Sequence, residues 1–306
     1  MDLFELKQLY FCPCNVAEAA QSCKIILDTV EAAAPEGLPE SFVSDCKLLD
    51  TLNKAVELLP ELWKLADVPQ EAILSYRRAL LYQWNLDLET RTKLEKEFAT
   101  FLLYSGTDAA PPNLRSQTEG SFIPRNNIEE AVLLLLILLR KFVTKRIGWD
   151  PSVIDHLCFA LSIADEFSTA AHQIEELPPG IIEDREKYTT LALCYCGEGE
   201  SLVALNLLRN ILNNKENHNC IFELLLASKI CGENSEYLEE GEAYAHKVVS
   251  KFQGRCDHLA SIAHYLIGVS LSAQSEKVCA DSQKISRQSE AIEALETAQR
   301  LTDDTN

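Results

Sequence analysis

Apolar residues recur at three- and four-residue spacing along almost the whole chain, a period that leaves room for helices and little else. Period-two alternation, the mark of a half-buried strand, is scarce. Breaks fall where Pro, Gly, Asn and Asp cluster: Pro35-Glu36-Gly37-Leu38-Pro39, Asp67-Val68-Pro69 and Pro178-Pro179-Gly180. The spacing predicts helices over roughly 15–34, 42–65, 69–83, 88–104, 127–146, 151–165, 167–177, 184–196, 200–213, 217–231, 236–251, 256–273 and 287–301. Pro60 is expected to kink or divide the second of these. Ser105 to Asn126 lacks the period, carries Pro111, Pro112 and Gly120, and reads as a long loop. Gln274 to Gln288 is polar and reads as a second loop or a helix extension. The expected organisation is helical repeats over 1–104, a loop over 105–126, and a helical solenoid over 127–306 continuing the same superhelix.

Helix pairs with small residues at fixed places sharpen this to a repeat. Tyr188, Leu191, Ala192 and Tyr195 on one predicted helix are answered by Ala204, Leu208 and Ile211 on the next. Val56, Leu59 and Trp63 precede Ala72, Tyr76 and Ala79. His264, Ile267, Gly268 and Leu271 precede Ala291, Leu295 and Ala298, with eleven extra residues between the two helices. Phe222, Leu225, Gly241, Ala245 and Val248 make a weaker fourth match. Small residues stand where two helices approach closely, and bulky ones fill the gap toward the next pair. That is the frame of the tetratricopeptide repeat. The expected fold is all-α, a tetratricopeptide-like solenoid of about 12–15 antiparallel helices.

The charge narrows the function. With 28 Lys+Arg against 47 Asp+Glu the chain carries a net −19, the wrong sign for nucleic acid or an anionic membrane as main partner. The longest apolar run, Ala131 to Leu139, has nine residues, where a membrane-spanning helix needs roughly 20. The start, Met1-Asp2-Leu3-Phe4-Glu5, is acidic and unlike a signal peptide. A soluble cytoplasmic chain is expected, and most of its 11 cysteines read as buried, reduced thiols. Cys12-Pro13-Cys14 and Cys194-Tyr195-Cys196 lack zinc-site spacing, and the trio Cys256, His258 and His264 reads as core and surface rather than as metal ligands.

Enzyme motifs are missing. Gly197-Glu198-Gly199-Glu200 follows a helix, and its acids repel phosphate. No G-x-S-x-G or H-E-x-x-H occurs. Cys158 and His156, two apart on a helix, point away from each other. No catalytic residue, cofactor or metal is expected. A thiol redox sensor is the least favoured alternative.

A solenoid binds other proteins along the face lined by the first helix of each pair. Those positions read Glu186, Thr189, Leu193 and Cys196, then Cys220, Glu223, Ala227 and Ile230, then Ile262, Tyr265, Val269 and Ser272. Such a groove is small, apolar and lightly acidic. It suits an apolar helix or extended peptide, and the same pattern also fits packing against the chain's own neighbours. The set lacks the cations that clamp a peptide carboxylate. A generic adaptor without calcium regulation is thus one reading.

One basic island interrupts the acidity. Val132 to Trp149 carries Arg140, Lys141, Lys145 and Arg146 and no acid. Leu136, Val143 and Trp149 fall at 1-8-14 spacing within it. A basic amphipathic helix with bulky anchors is the pattern calmodulin takes, and a leucine-rich helix is also ordinary core. Ile73 to Trp84, with Arg77 and Arg78, is a shorter candidate.

Longer strings carry a resemblance. KLLDTLNKAVELLPELWKLA (47–66), EAILSYRRALLYQWNLD (71–87), PPNLRSQTEGSFIPRNNIEEAVLLLLILLRKF (111–142), KRIGWDPSVIDHLCFALSIA (145–164) and TLALCYCGEGESLVALNLLRN (190–210) resemble the plant no-pollen-germination family, relatives of tetratricopeptide repeat protein seven. The resemblance covers nearly the whole chain. It implies a non-enzymatic, calmodulin-binding scaffold in an assembly that holds a phosphatidylinositol 4-kinase at the plasma membrane. It further implies a hyccin-like protein and a membrane-anchored helical adaptor as partners, peripheral recruitment through them, and a link to pollen germination. Family members are longer and carry further repeats, whereas this chain stops at Asn306 after one second-type helix. A chain shortened at its C-terminus is therefore expected.

Overall fold

The computed structural model describes residues 13–35, 37–38, 46–107, 124–213, 220–251, 257–278 and 280–303. Among the described residues, contacts divide the chain into two compact units on either side of Glu166 and Phe167. The first holds α1 (Pro13–Ala33), α2 (Cys46–Leu65), α3 (Pro69–Leu81), α4 (Leu88–Tyr104), α5 (Asn127–Val143) and α6 (Pro151–Ile163). The second holds α7 (Phe167–Glu175), α8 (Asp184–Gly197), α9 (Ser201–Leu212), α10 (Ile221–Glu233), α11 (Leu238–Lys251), α12 (Asp257–Lys277) and α13 (Asp281–Asp303). Most of the expected 105–126 loop lies outside the described residues.

The helices start where the sequence supplies caps. Asp87 accepts from the Thr90 amide at 3.1 Å to open α4, and Asp150 accepts from Ser152 at 3.1 Å, with Pro151 in the first turn of α6. Asn126 accepts from the Glu129 amide at 2.8 Å, and Glu129 reaches back to the Arg125 amide at 2.7 Å. Asp67 and Asn85 turn the chain at positive φ (57° and 52°), a region their short polar side chains tolerate. α2 runs as one helix through Pro60, so the expected division is absent. Burial of Val56, Leu59 and Trp63 along one face holds both halves in line.

Within each unit, helices adjacent in sequence pack against each other, and α10 also packs on α12. That is the nearest-neighbour logic of a tetratricopeptide-like stack. We call α2, α4, α6, α8, α10 and α12 the A helices and their followers B helices. The repeat positions read from the sequence form the interfaces: Ala72, Tyr76 and Ala79 are buried beneath Val56, Leu59 and Trp63, and Ala192 is buried with Ala204 and Leu208. Gly268 lies against Ala291 and Leu295. The eleven-residue insertion forms no long loop. It lengthens α12 to Lys277 and starts α13 at Asp281. Buried Gln274 of α12 donates to Glu242 of α11 at 2.8 Å and accepts from Arg287 of α13 at 2.6 Å, which fixes the extension.

Candidate functional site

The A helices of the second unit are neighbours. Arg185 Nε of α8 donates to Glu223 Oε1 of α10 at 2.7 Å, Thr189 adds a hydrogen bond at 3.3 Å, and α10 packs on α12. The groove positions expected from the sequence divide accordingly. Leu193 and Tyr265 are exposed (43% and 54%), Glu186 is exposed, and Cys196 and Val269 are half-buried. Glu223, Ala227 and Ile230 lie buried at 3%, 0% and 3% instead of lining an open face. On α10 the expected register is offset. Phe222, placed in the core by the sequence match, is 53% exposed, while Ser228 is buried and donates to the Gly241 carbonyl at 2.7 Å. Phe222, whose exposure the sequence reading missed, joins Leu193 and Tyr265 as one exposed large apolar side chain on each of three A helices. Thr189 and Glu223 tie α8 to α10.

The basic island falls on α5 and the turn after it. Ala131, Leu134, Leu135, Leu138 and Leu139 face the core. Leu136 is half-buried, while Arg140 and Val143 are exposed. Lys141 is spent inside the fold: its ammonium meets Glu95 of α4 at 2.8 and 2.6 Å, and both side chains are largely buried. The helix ends at Val143, and Lys145 turns the chain at φ 56°. Leu136, Val143 and Trp149 thus do not share one helix, and Trp149 packs on Phe142 with ring centroids 4.5 Å apart. Exposed Arg146 lines a cleft of about 490 Å³ with Lys96, Leu138 and Asp150. The shorter candidate at 73–84 belongs to the core: Ile73 and Trp84 are buried, and Arg77 and Arg78 are taken up by Glu130, Asp28 and Glu31.

Five of the described thiols point away from nucleophilic chemistry. Burial pushes Cys23, Cys194, Cys196 and Cys220 upward and Cys231 up to about 12, opposite to the shift a reactive thiolate needs. His156 Nδ1 pairs with the Tyr104 hydroxyl at 3.0 Å. Gly199, at φ 82°, ends α8 while the Glu200 amide donates back to the Tyr195 carbonyl at 2.8 Å, so the Gly-Glu-Gly-Glu run is a helix stop. Cys256 and the Cys12–Cys14 pair lie outside the side chains described. Among the described residues no cluster of three or more His, Cys, Asp or Glu is placed to hold a metal ion, and no helix is long and apolar enough to cross a membrane.

No protein-family model matches the chain. Protein NPGR2 of Arabidopsis thaliana is 55% identical over 281 residues, 92% of this chain and 38% of that protein. Protein NPG1 of Arabidopsis thaliana is 46% identical over 284 residues, 93% of this chain and 40% of that protein. Tetratricopeptide repeat protein 7A of Homo sapiens is 25% identical over 224 residues, 68% of this chain and 25% of that protein. The chain spans about two fifths of the length of the plant relatives it matches.

Proposed function

Over nearly all of its length the chain is homologous to the plant no-pollen-germination family, with tetratricopeptide repeat protein 7 as a more distant relative, and we propose that it is a non-enzymatic helical scaffold. The observation that carries this is one exposed large apolar side chain on each of three successive A helices, Leu193, Phe222 and Tyr265, in a stack whose core is supplied by A and B helices together. That face takes an apolar helix or extended peptide. The finer reading follows the same kinship. The chain takes part in assembling a phosphatidylinositol 4-kinase complex with a hyccin-like protein and a membrane-anchored adaptor, is recruited through them to the plasma membrane, and serves pollen germination.

Calmodulin is the proposed regulator, and the packing of α5 restricts how it docks. Pulling α5 out for a full wrap would expose Leu134, Leu135, Leu138 and Leu139, at roughly 1.5–3 kcal/mol each. Docking is therefore assigned to the outward rim of Arg140, Val143, Lys145 and Arg146. Calorimetric titration with calmodulin, in calcium and then in chelator, tests it on the full chain. Calcium-dependent heat is expected, with loss in the combined Arg140→Glu, Lys145→Glu, Arg146→Glu variant. Lys141 is left intact because of its structural pair with Glu95. Absence of heat from the unaltered chain would remove calmodulin and leave the scaffold reading on the A-helix face alone.

A further inference from the structure

The turn that closes α5 sets one hydroxyl among cations. Thr144 caps the helix and is exposed, and from Thr144 to Asp150 the backbone is not helical. Arg140 stands one helical turn before it, and Lys145 and Arg146 follow it directly. All three cations are exposed. None of the three belongs to an ion pair among the described residues, whereas neighbouring Lys141 and Lys96 are held by Glu95 and Asp150. Glu89 and Asp150 share the cleft that Arg146 lines. With these paired groups included, five cations face three carboxylates around the turn. The local charge is positive in a chain of net −19.

The hydroxyl can be modified without undoing the helix end. Thr144 Oγ1 donates to the Arg140 and Lys141 carbonyls at 2.8 and 3.1 Å. Each carbonyl has a second donor: the Thr144 amide serves Arg140 at 3.0 Å, and the Arg146 amide serves Lys141 at 2.9 Å. Loss of the hydroxyl proton therefore orphans neither. A phosphate ester on this oxygen only accepts, so it turns off the carbonyls toward the exposed cations. The helix C-terminus opposes it with roughly half a negative charge, which three unpaired cations outweigh. Ser286 also lies between cations, Lys284 and Arg287, but Arg287 is taken up by Glu242 and Gln274, and the Ser286 hydroxyl donates to Glu290 at 3.0 Å.

We propose that Thr144 is the acceptor for a basophilic serine/threonine kinase, and that its phosphate, held by Arg140, Lys145 and Arg146, closes this rim to calmodulin. In the step the bond from Thr144 Oγ1 to phosphorus forms, and the bond from the γ-phosphorus of MgATP to its bridging oxygen breaks. ADP leaves, and the hydroxyl proton passes to the base of the kinase. The phosphate brings about −1.5 to −2 charges at pH 7, enough to cancel most of the rim. The closure rests on the calmodulin reading above; the modification and its ion pairs do not.

The full chain is incubated with MgATP and a catalytic domain of the protein kinase C class, and fragment mass spectrometry locates the phosphate. Modification of folded chain at Thr144 is expected, and its loss in Thr144→Val. An unmodified Thr144, or one modified only after unfolding in urea, overturns the proposal. Phosphorus NMR then reads the second ionisation of the phosphate. It is expected below the ordinary value of about 6 and should rise in Arg146→Gln; an unshifted value would overturn the ion pairs. Calorimetry with calmodulin in calcium compares modified and unmodified chain, with weakening of about tenfold or more expected. Kinase-treated Thr144→Val should bind like the untreated parent. Equal affinity of modified and unmodified chain overturns the closure and leaves the calmodulin reading standing. Absence of heat from the unmodified chain overturns both, and the first two measurements still decide the phosphate site.

Discussion

Gly268 sits where two helices come too close for a side chain. A Cβ there would meet Leu295 Cγ at 2.6 Å and the Ala291 carbonyl oxygen at 3.1 Å. Gly232, in the last turn of α10, has only Ser270 Oγ at 3.8 Å. The two glycines should therefore respond to alanine with opposite sign. Gly268→Ala overpacks the α12–α13 interface and is expected to cost about 1–3 kcal/mol. Gly232→Ala meets open space and should be neutral or gain up to ~1 kcal/mol from helix propensity. Urea unfolding of both variants measures this, and equal midpoints would contradict the close approach. The small residue at Gly268 was legible beforehand because the repeat frame demands one at that place. The buried acid Glu223 was not. Its burial depends on Arg185, 38 positions away, and no local pattern reveals a partner at that distance.

At the scale of the element, legibility follows how one-sided each helix is. On α3, Ala72, Ile73, Tyr76 and Ala79 form one apolar stripe, so its buried face could be read directly. On α10, Ile221, Phe222, Leu224, Leu225, Leu226 and Ala227 surround the helix almost continuously, so periodicity cannot choose a face and the expected register slipped. The end of α5 was hidden for another reason: Lys145 takes the left-handed turn that glycine or asparagine usually signals. Ties between B helices carry a testable pH signature. Arg209 of α9 donates to Glu240 of α11 at 2.9 and 2.5 Å, and chiefly this bond holds the Glu240 carboxyl below the ordinary glutamate range. In that window the unfolded chain binds more protons than the folded one. The pair's contribution is therefore complete above the ordinary value and is lost as pH falls through the lowered one. Both side chains are about a third exposed (28% and 31%), so solvent screening limits the effect to about 0.5–1 kcal/mol. Glu240→Gln should flatten the acid limb of the urea midpoint against pH by that amount. Superimposable acid limbs in parent and variant would contradict it, since every other acid cancels in the comparison.

For the whole molecule, stability should be the sum of neighbouring helix interfaces rather than one shared core. Within each unit a helix leans on those next to it in sequence, and the contacts gather into two sets that part at Glu166 and Phe167. Both sets hold completed helix pairs. The first contains α2 with α3 and α4 with α5, cross-tied by the buried Arg77–Glu130 pair at 2.6 Å. The second contains the cluster from Ala192 to Ala294, which joins α8 through α13. A set with its own pairs and its own buried residues has what it needs to fold alone. Residues 1–166 and 167–306, expressed separately, are therefore expected to give helical circular dichroism and cooperative urea transitions. The denaturant slope of each should be smaller than that of the intact chain, because less surface is exposed in each transition. A coil spectrum from either fragment would show that the contact division does not mark a folding unit.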